Sequence, residues 1–217
     1  MMLFRKKRVA GILITVVLGA TIVLTSVALQ GCGDDTAKQD FVDGVLSTMN
    51  ENQAHSEIAQ EGSEAFTAYA QSGFTDVESA LKAADSFWDS NTKDEETLVD
   101  LDGLNKPDDD AESIVDTLEK GIKTMDEGNT INAEELDKAP DQSMEERAMI
   151  FNSSLMAMDE YIEGVSQIVE SYQGLLDYAK TNSLEGQDEI QEWIDKFEEE
   201  KESLEQSKSS LESMTQG

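Results

Sequence analysis

The chain has 217 residues, with 47 acids against 16 basic side chains, a net charge of −31 and only 2 prolines. Such a charge excludes nucleic acid and other polyanions as partners and favours cations, basic peptides or basic protein faces. One cysteine and one histidine exclude disulfides within the chain, thiolate metal clusters and two-histidine metal sites.

The chain opens on a basic cluster, Arg5 to Arg8, followed by the uncharged run Val9 to Leu29. A basic segment before an apolar one is the pattern of an export signal. At about 1.5 Å per residue the run is also long enough to cross a bilayer as a helix. Either way the basic cluster stays in the cytoplasm and the acidic body lies outside. Every acid in the chain follows Cys32, where 12 basic residues face 47 acids, a balance of −35.

Leu29-Gln30-Gly31-Cys32 resembles the lipobox of bacterial lipoproteins. In that family the cysteine thiol is alkylated by diacylglycerol, and signal peptidase II then cuts before it. The resemblance implies cleavage between Gly31 and Cys32, lipid attachment at Cys32, and a protein held on the extracytoplasmic face of a membrane by its acyl chains. A thiol suits this role because its anion is the strong nucleophile among side chains near neutral pH. The resemblance covers about the first 33 residues. It divides the chain into a signal peptide over 1–31, a lipidated tether over 32–35 and an acidic helical domain over 36–217.

The domain reads as helix throughout, with no alternating β-branched run. A first region spans about 36–71, with Val42, Val45, Met49, Phe66 and Ala70 on its stripe. Polar Asn52 and Ser56 interrupt it, so it is one helix with a hydrated waist or two helices broken near Asn50-Glu51-Asn52. Thr75 with Glu78 suggests a capping box for a second helix, with Val77, Leu81, Ala84 and Trp88 on one face and Phe87 beside it. Residues 97–110 read as a loop, a third helix covers about 111–126, and 127–142 reads as a polar connection.

Ser143 and Glu146 form a second capping box. Beyond it, eleven positions from Met144 to Ala179 step by four and three and are all apolar, which marks a long helix with a wide buried stripe. Tyr161, Ile168 and Leu175 flank that stripe. After a turn near 181–186, a last helix over about 187–215 carries Ile190, Trp193, Phe197, Leu204 and Leu211 on a narrow stripe, interrupted by Glu200 and Ser207. The fold class expected is all-α, an antiparallel bundle of four or five helices whose last two form a long hairpin.

Signals for catalysis are nearly absent. His55 lies in the polar waist and has no second histidine to relay with. No nucleophile elbow, phosphate-cradling glycine loop or dinucleotide fingerprint occurs. Thr124 to Leu136 resembles a degraded EF-hand loop in which Asp126, Asn132 and Glu135 would be weak cation ligands. Thr124 stands where the first aspartate belongs, and Gly128 precedes the turn position by one. Trp88, Trp193, Tyr161, Tyr172 and Tyr178 are core candidates or the wall of a ligand groove, with Tyr178, off the stripe, the one expected to be exposed. No cofactor is implied. The expected function is non-enzymatic: a lipid-anchored envelope protein binding a basic protein or other cationic partner, with a helical ligand sensor or carrier as the alternative.

Overall fold

The computed structural model describes residues 33–53 and 56–215. The chain forms helices α1 (Gly33–Gln53), α2 (Ser56–Gln71), α3 (Val77–Asp102), α4 (Asp109–Asp137), the single turn α5 (Met144–Arg147), α6 (Ile150–Thr181) and α7 (Gln187–Thr215). The fold is an all-helical bundle. Among the described residues its long helices number six, with the first region given as two helices, α1 and α2. The apolar run 9–29, Gly31, Cys32 and His55 lie outside the described residues, so the expected lipid attachment and cleavage positions do as well. No described helix is long and apolar enough to cross a membrane.

The helices pack antiparallel, as the partners along each pair show. On α4 and α6, Asp108 just before α4 meets Tyr178, Ile114 meets Ser171, and Asn129 meets Tyr161. On α3 and α4, Asn91 reaches Thr130 and Trp88 reaches Asp137. On α6 and α7, Tyr172 stacks near Trp193 and Phe197, while Lys208 pairs with Asp159. The last two helices form the long hairpin expected from sequence. α6 packs more extensively still on α4.

The core has two parts. The larger joins α1, α4, α6 and α7 around Phe41, Val45, Leu118, Tyr172, Leu175 and Trp193. The smaller lies where α2, α3, the end of α4 and the start of α6 converge, around Tyr69, Ala83, Phe87, Leu136 and Ile150.

Several expected boundaries are corrected. Helix α1 is described from Gly33 onward, so residues 33–35 are helical. The N-cap of α3 is Asp76, whose carboxylate accepts from the Ser79 backbone N–H and hydroxyl, and not Thr75. The buried face is also displaced by about one position: Ala80, Ala83, Ala84 and Phe87 are buried in the second core, while Leu81 and Trp88 are exposed. Helix α3 continues to Asp102 through the expected loop because Thr97 and Leu101 are buried against the core. Helix α4 continues to Asp137 through the expected polar connection because Ala133 and Leu136 reach the second core. The Ser143–Glu146 capping box is present, with both reciprocal hydrogen bonds. It starts only the one-turn α5; the long helix begins again at Ile150.

The α4–α6 crossing is very close. A Cβ on Gly164 would stand 2.5 Å from Met125 Cγ and 2.7 Å from the Gly121 carbonyl oxygen. A Cβ on Gly121 would stand 2.9 Å from the Gly164 carbonyl oxygen. The two glycines therefore face each other backbone to backbone, and neither has room for a side chain.

Candidate functional site: an acidic cavity inside the bundle

The polar waist falls at the C-terminal turn of α1. There Asn52 Nδ2 donates to Asp94 Oδ1 at 3.0 Å and to Thr97 Oγ1 at 2.7 Å, joining α1 to α3. Beside these groups is a cavity of about 70 Å³. Its polar lining is Asn52, Asp94 and Glu200; its apolar lining includes Met49, Met125, Trp193 and Phe197. Five helices contribute, α1, α3, α4, α6 and α7. A water molecule needs roughly 10–15 Å³ of such space, so the cavity holds several waters or one small molecule.

Two carboxyl groups line this cavity, and among the described residues no basic side chain does. Glu200 sits at the position that interrupts the apolar stripe of α7. Burial pushes its carboxyl up to about 7, because a low-dielectric surrounding penalises the charged form. It makes no hydrogen bond or ion pair with any described residue. Trp193, two turns earlier on α7, lines the same cavity and stacks on Phe197, with ring centroids 5.5 Å apart. Its Nε1–H is buried with no partner among the described residues.

A second buried polar group extends from the cavity along α3 and α4. Burial raises the Asp126 carboxyl to about 8, and the neighbouring Asp94 carboxylate adds to the shift. Two carboxyls this close cannot both ionise cheaply, so they share a proton. Asn91 donates to the Asp126 backbone carbonyl at 3.2 Å and to Thr130 Oγ1 at 3.0 Å. One turn on, Tyr161 donates to Asn129 Oδ1 at 2.7 Å and accepts from Asn132 Nδ2 at 3.3 Å.

This arrangement corrects the expected EF-hand loop. Asp126, Asn132 and Glu135 all lie on the continuous helix α4, and they do not converge. Asp126 turns to Asp94, Asn132 to Tyr161, and Glu135 accepts from Lys138 and Gln142. The described residues hold no group of three or more potential metal-binding side chains. The glycine that suggested a turn, Gly128, is a packing position: a Cβ there would meet the Tyr161 ring at 2.8 Å.

Tyr178 is also corrected. It is buried, and its hydroxyl donates to Asp108 Oδ2 at 3.1 Å. Burial opposes the charge on Asp108, but hydrogen bonds from the Ala111 backbone, Tyr178 and Lys38, with the charge of Lys38, outweigh it and hold the carboxyl below its usual range. Tyr161, Tyr172 and Trp193 belong to the interior, whereas Trp88 is part-exposed with its indole N–H on Asp137. Sequence reading did not single out Asp94 or the functional meaning of Glu200. A glutamate on an otherwise apolar stripe was the available signal.

The proton shared by Asp94 and Asp126 has a consequence for stability. In the folded chain Asp126 keeps its proton up to about pH 8, whereas in the unfolded chain it ionises near the ordinary carboxyl value. Folded molecules thus bind more protons between those limits, and stability falls as pH rises through that window. Asp126→Asn is expected to stabilise the protein at pH 8 by about 1–2 kcal/mol, a value reduced for solvent screening of this partly exposed residue. The gain shrinks toward pH 4. Urea unfolding at pH 8 and pH 5 measures it, and a variant less stable than the parent at pH 8 would contradict the shared proton.

No family model, curated protein or solved structure matches this chain.

Proposed function

We propose that the chain is an extracytoplasmic lipoprotein, anchored through Cys32, whose acidic helical bundle works by binding and not by catalysis. The observation that carries this reading is the charge after Cys32, 47 acids against 12 basic residues. Much of the little positive charge is already committed: Lys38, Lys93, Lys123 and Lys208, among others, sit in ion pairs with neighbouring acids. The surface field is therefore left negative, and a basic protein or peptide is the partner it attracts.

Two measurements test the reading. Cys32→Ala is expected to abolish metabolic labelling by palmitate and to leave the chain at its larger, unprocessed mass. Unchanged labelling and processing would remove the anchor. Partners crosslinked in the native envelope should be lost progressively as salt rises; binding indifferent to salt would remove the electrostatic basis.

A second reading, a helical ligand sensor or carrier, is favoured by the cavity beside Asn52.

A further inference from the structure

We propose that Met149 is a site of reversible oxidation by hydrogen peroxide, and that the sulfoxide formed there takes a hydrogen bond from Asn152 and braces the joint between α5 and α6. This inference is independent of the anchor and of the binding partner proposed above.

Exposure and position carry it together. Met149 and Met156 are 58% and 61% exposed, whereas Met49 and Met158 are 5% and 4% exposed. Met149 has helical backbone angles, so a step of seven residues, two turns, puts it on one face with Met156. Access of oxidant decides which methionines react, and these two are open to it. Charge narrows the oxidant. A chain of net charge −31 repels anionic oxidants and leaves a neutral peroxide unaffected. The thioether sulfur attacks one peroxide oxygen, the O–O bond breaks and water leaves. Sulfur gives up two electrons and the peroxide takes them. A methionine sulfoxide reductase reverses the step, with two thiols supplying the electron pair and closing to a disulfide as water is released.

The joint is where the added oxygen matters. Helix α5 ends at Arg147 and α6 begins at Ile150. Across the gap the backbone makes tight i→i+3 bonds: Met149 N–H donates to the Glu146 carbonyl and Asn152 N–H to the Met149 carbonyl, each at 2.9 Å. Such bonds have poorer geometry than those of an α-helix. Met149 is the N-cap of α6, and its side chain makes no cap hydrogen bond. The Asn152 amide already points at it, with Nδ2 4.0 Å from Sδ, but a thioether is a weak acceptor. A sulfoxide carries a polar oxygen on that same sulfur, within hydrogen-bonding reach of the same amide. The flexible methionine side chain lets the oxygen turn toward its donor. The negative end of the S–O dipole also suits a helix N-terminus. Oxidation of a buried methionine disrupts packing; at this exposed joint the expected sign is the reverse.

The experiment treats the full-length chain, in a non-ionic detergent, with hydrogen peroxide and times oxidation at each methionine by peptide mass spectrometry. Met149 and Met156 should oxidise at least tenfold faster than Met49 and Met158. Backbone hydrogen exchange over residues 148–155 is then compared before and after oxidation. It should slow at least twofold in the parent. No change is expected in Asn152→Ala, a substitution at an exposed position, or in Met149→Leu, which has no sulfur there to oxidise. A methionine sulfoxide reductase with dithiothreitol should restore the starting rate. Met149 oxidising no faster than Met158 would overturn the modification site. Fast oxidation of Met149 with exchange unchanged or faster in the parent, or slowed equally in Asn152→Ala, would overturn the brace.

Discussion

Trp193→Ala is expected to cost about 3–5 kcal/mol of folding stability, the range for emptying a large aromatic site in a close-packed core. Trp193 is 2% exposed. It joins Tyr172 on α6 to Phe197 on α7, with ring centroids at 6.2 and 5.5 Å. Removing it takes away the middle of that aromatic group and opens the neighbouring cavity further. A domain of this size is typically stable by about 5–15 kcal/mol, so the loss would be a large share of the total. Trp193→Phe should be much milder, about 1 kcal/mol. It keeps an aromatic ring and discards an indole N–H that has no described partner. The two variants compared by urea unfolding separate packing from hydrogen bonding. A Trp193→Ala protein within 1 kcal/mol of the parent would show that the α6–α7 hairpin does not depend on this group.

Gly164→Ala is expected to destabilise by about 2–3 kcal/mol, against the direction of helix propensity. In an open helix the change would gain up to about 1 kcal/mol. Here the new methyl would meet the Gly121 carbonyl oxygen at 2.7 Å and Met125 N at 3.0 Å. Those are backbone atoms, so α4 and α6 must move apart. The side chains between them, Ile168 and Met125, would then lose contact on both helices. Gly174→Ala, on the same helix, is the control. Its methyl would meet only Ile114 Cγ1 at 3.3 Å, a side chain able to give, so the change should be within about 1 kcal/mol of neutral. Thermal and urea unfolding of both variants measure the difference. Equal effects would mean that the crossing tolerates wider spacing.

These residues show what the sequence makes legible. Period and capping residues report local choices, so the long hairpin and the Ser143–Glu146 box can be read directly. The α7 stripe can be read too, since a narrow stripe on an outer helix has one interpretation. The extent of α4 is different. Gly128, Asn129 and Asn132 resemble loop residues because their solvent-facing preferences suggest a turn. In the bundle they face Tyr161, whose ring and hydroxyl supply the contacts that make helix the better state. That information lies about 30 residues away in the chain. The α3 face was misplaced by one position for a related reason: alanines at 80, 83 and 84 are buried where helices approach closely, while the larger Leu81 and Trp88 stay at the edge. Hydrophobic size alone ranks those residues in the opposite order. The cavity was half legible. The polar interruption at Asn52 marked its neighbourhood, but only the packing of α3 and α7 brings Asp94 and Glu200 to it.

The start of α1 is fastened to one end of the bundle. Lys38 donates to Asn182 Oδ1 at 2.9 Å and pairs with Asp108, and Gln39 accepts from the Glu185 backbone. Those partners belong to the α3–α4 connection and the α6–α7 turn, so all three segments share that end. From there α6 runs the other way for 32 residues, roughly 48 Å at the helical rise. Met144, Met149 and Met156 are exposed at the far end, each more than half open to solvent. Under the proposed anchorage through Cys32, the chain would stand like a mast: the end that holds the start of α1 is polar and cross-braced, and the pliant thioether side chains are carried at the other. Contacts with another envelope component would be made at a set height above the lipid, and shortening α6 and its partner helices by whole turns would lower that height by about 5 Å per turn.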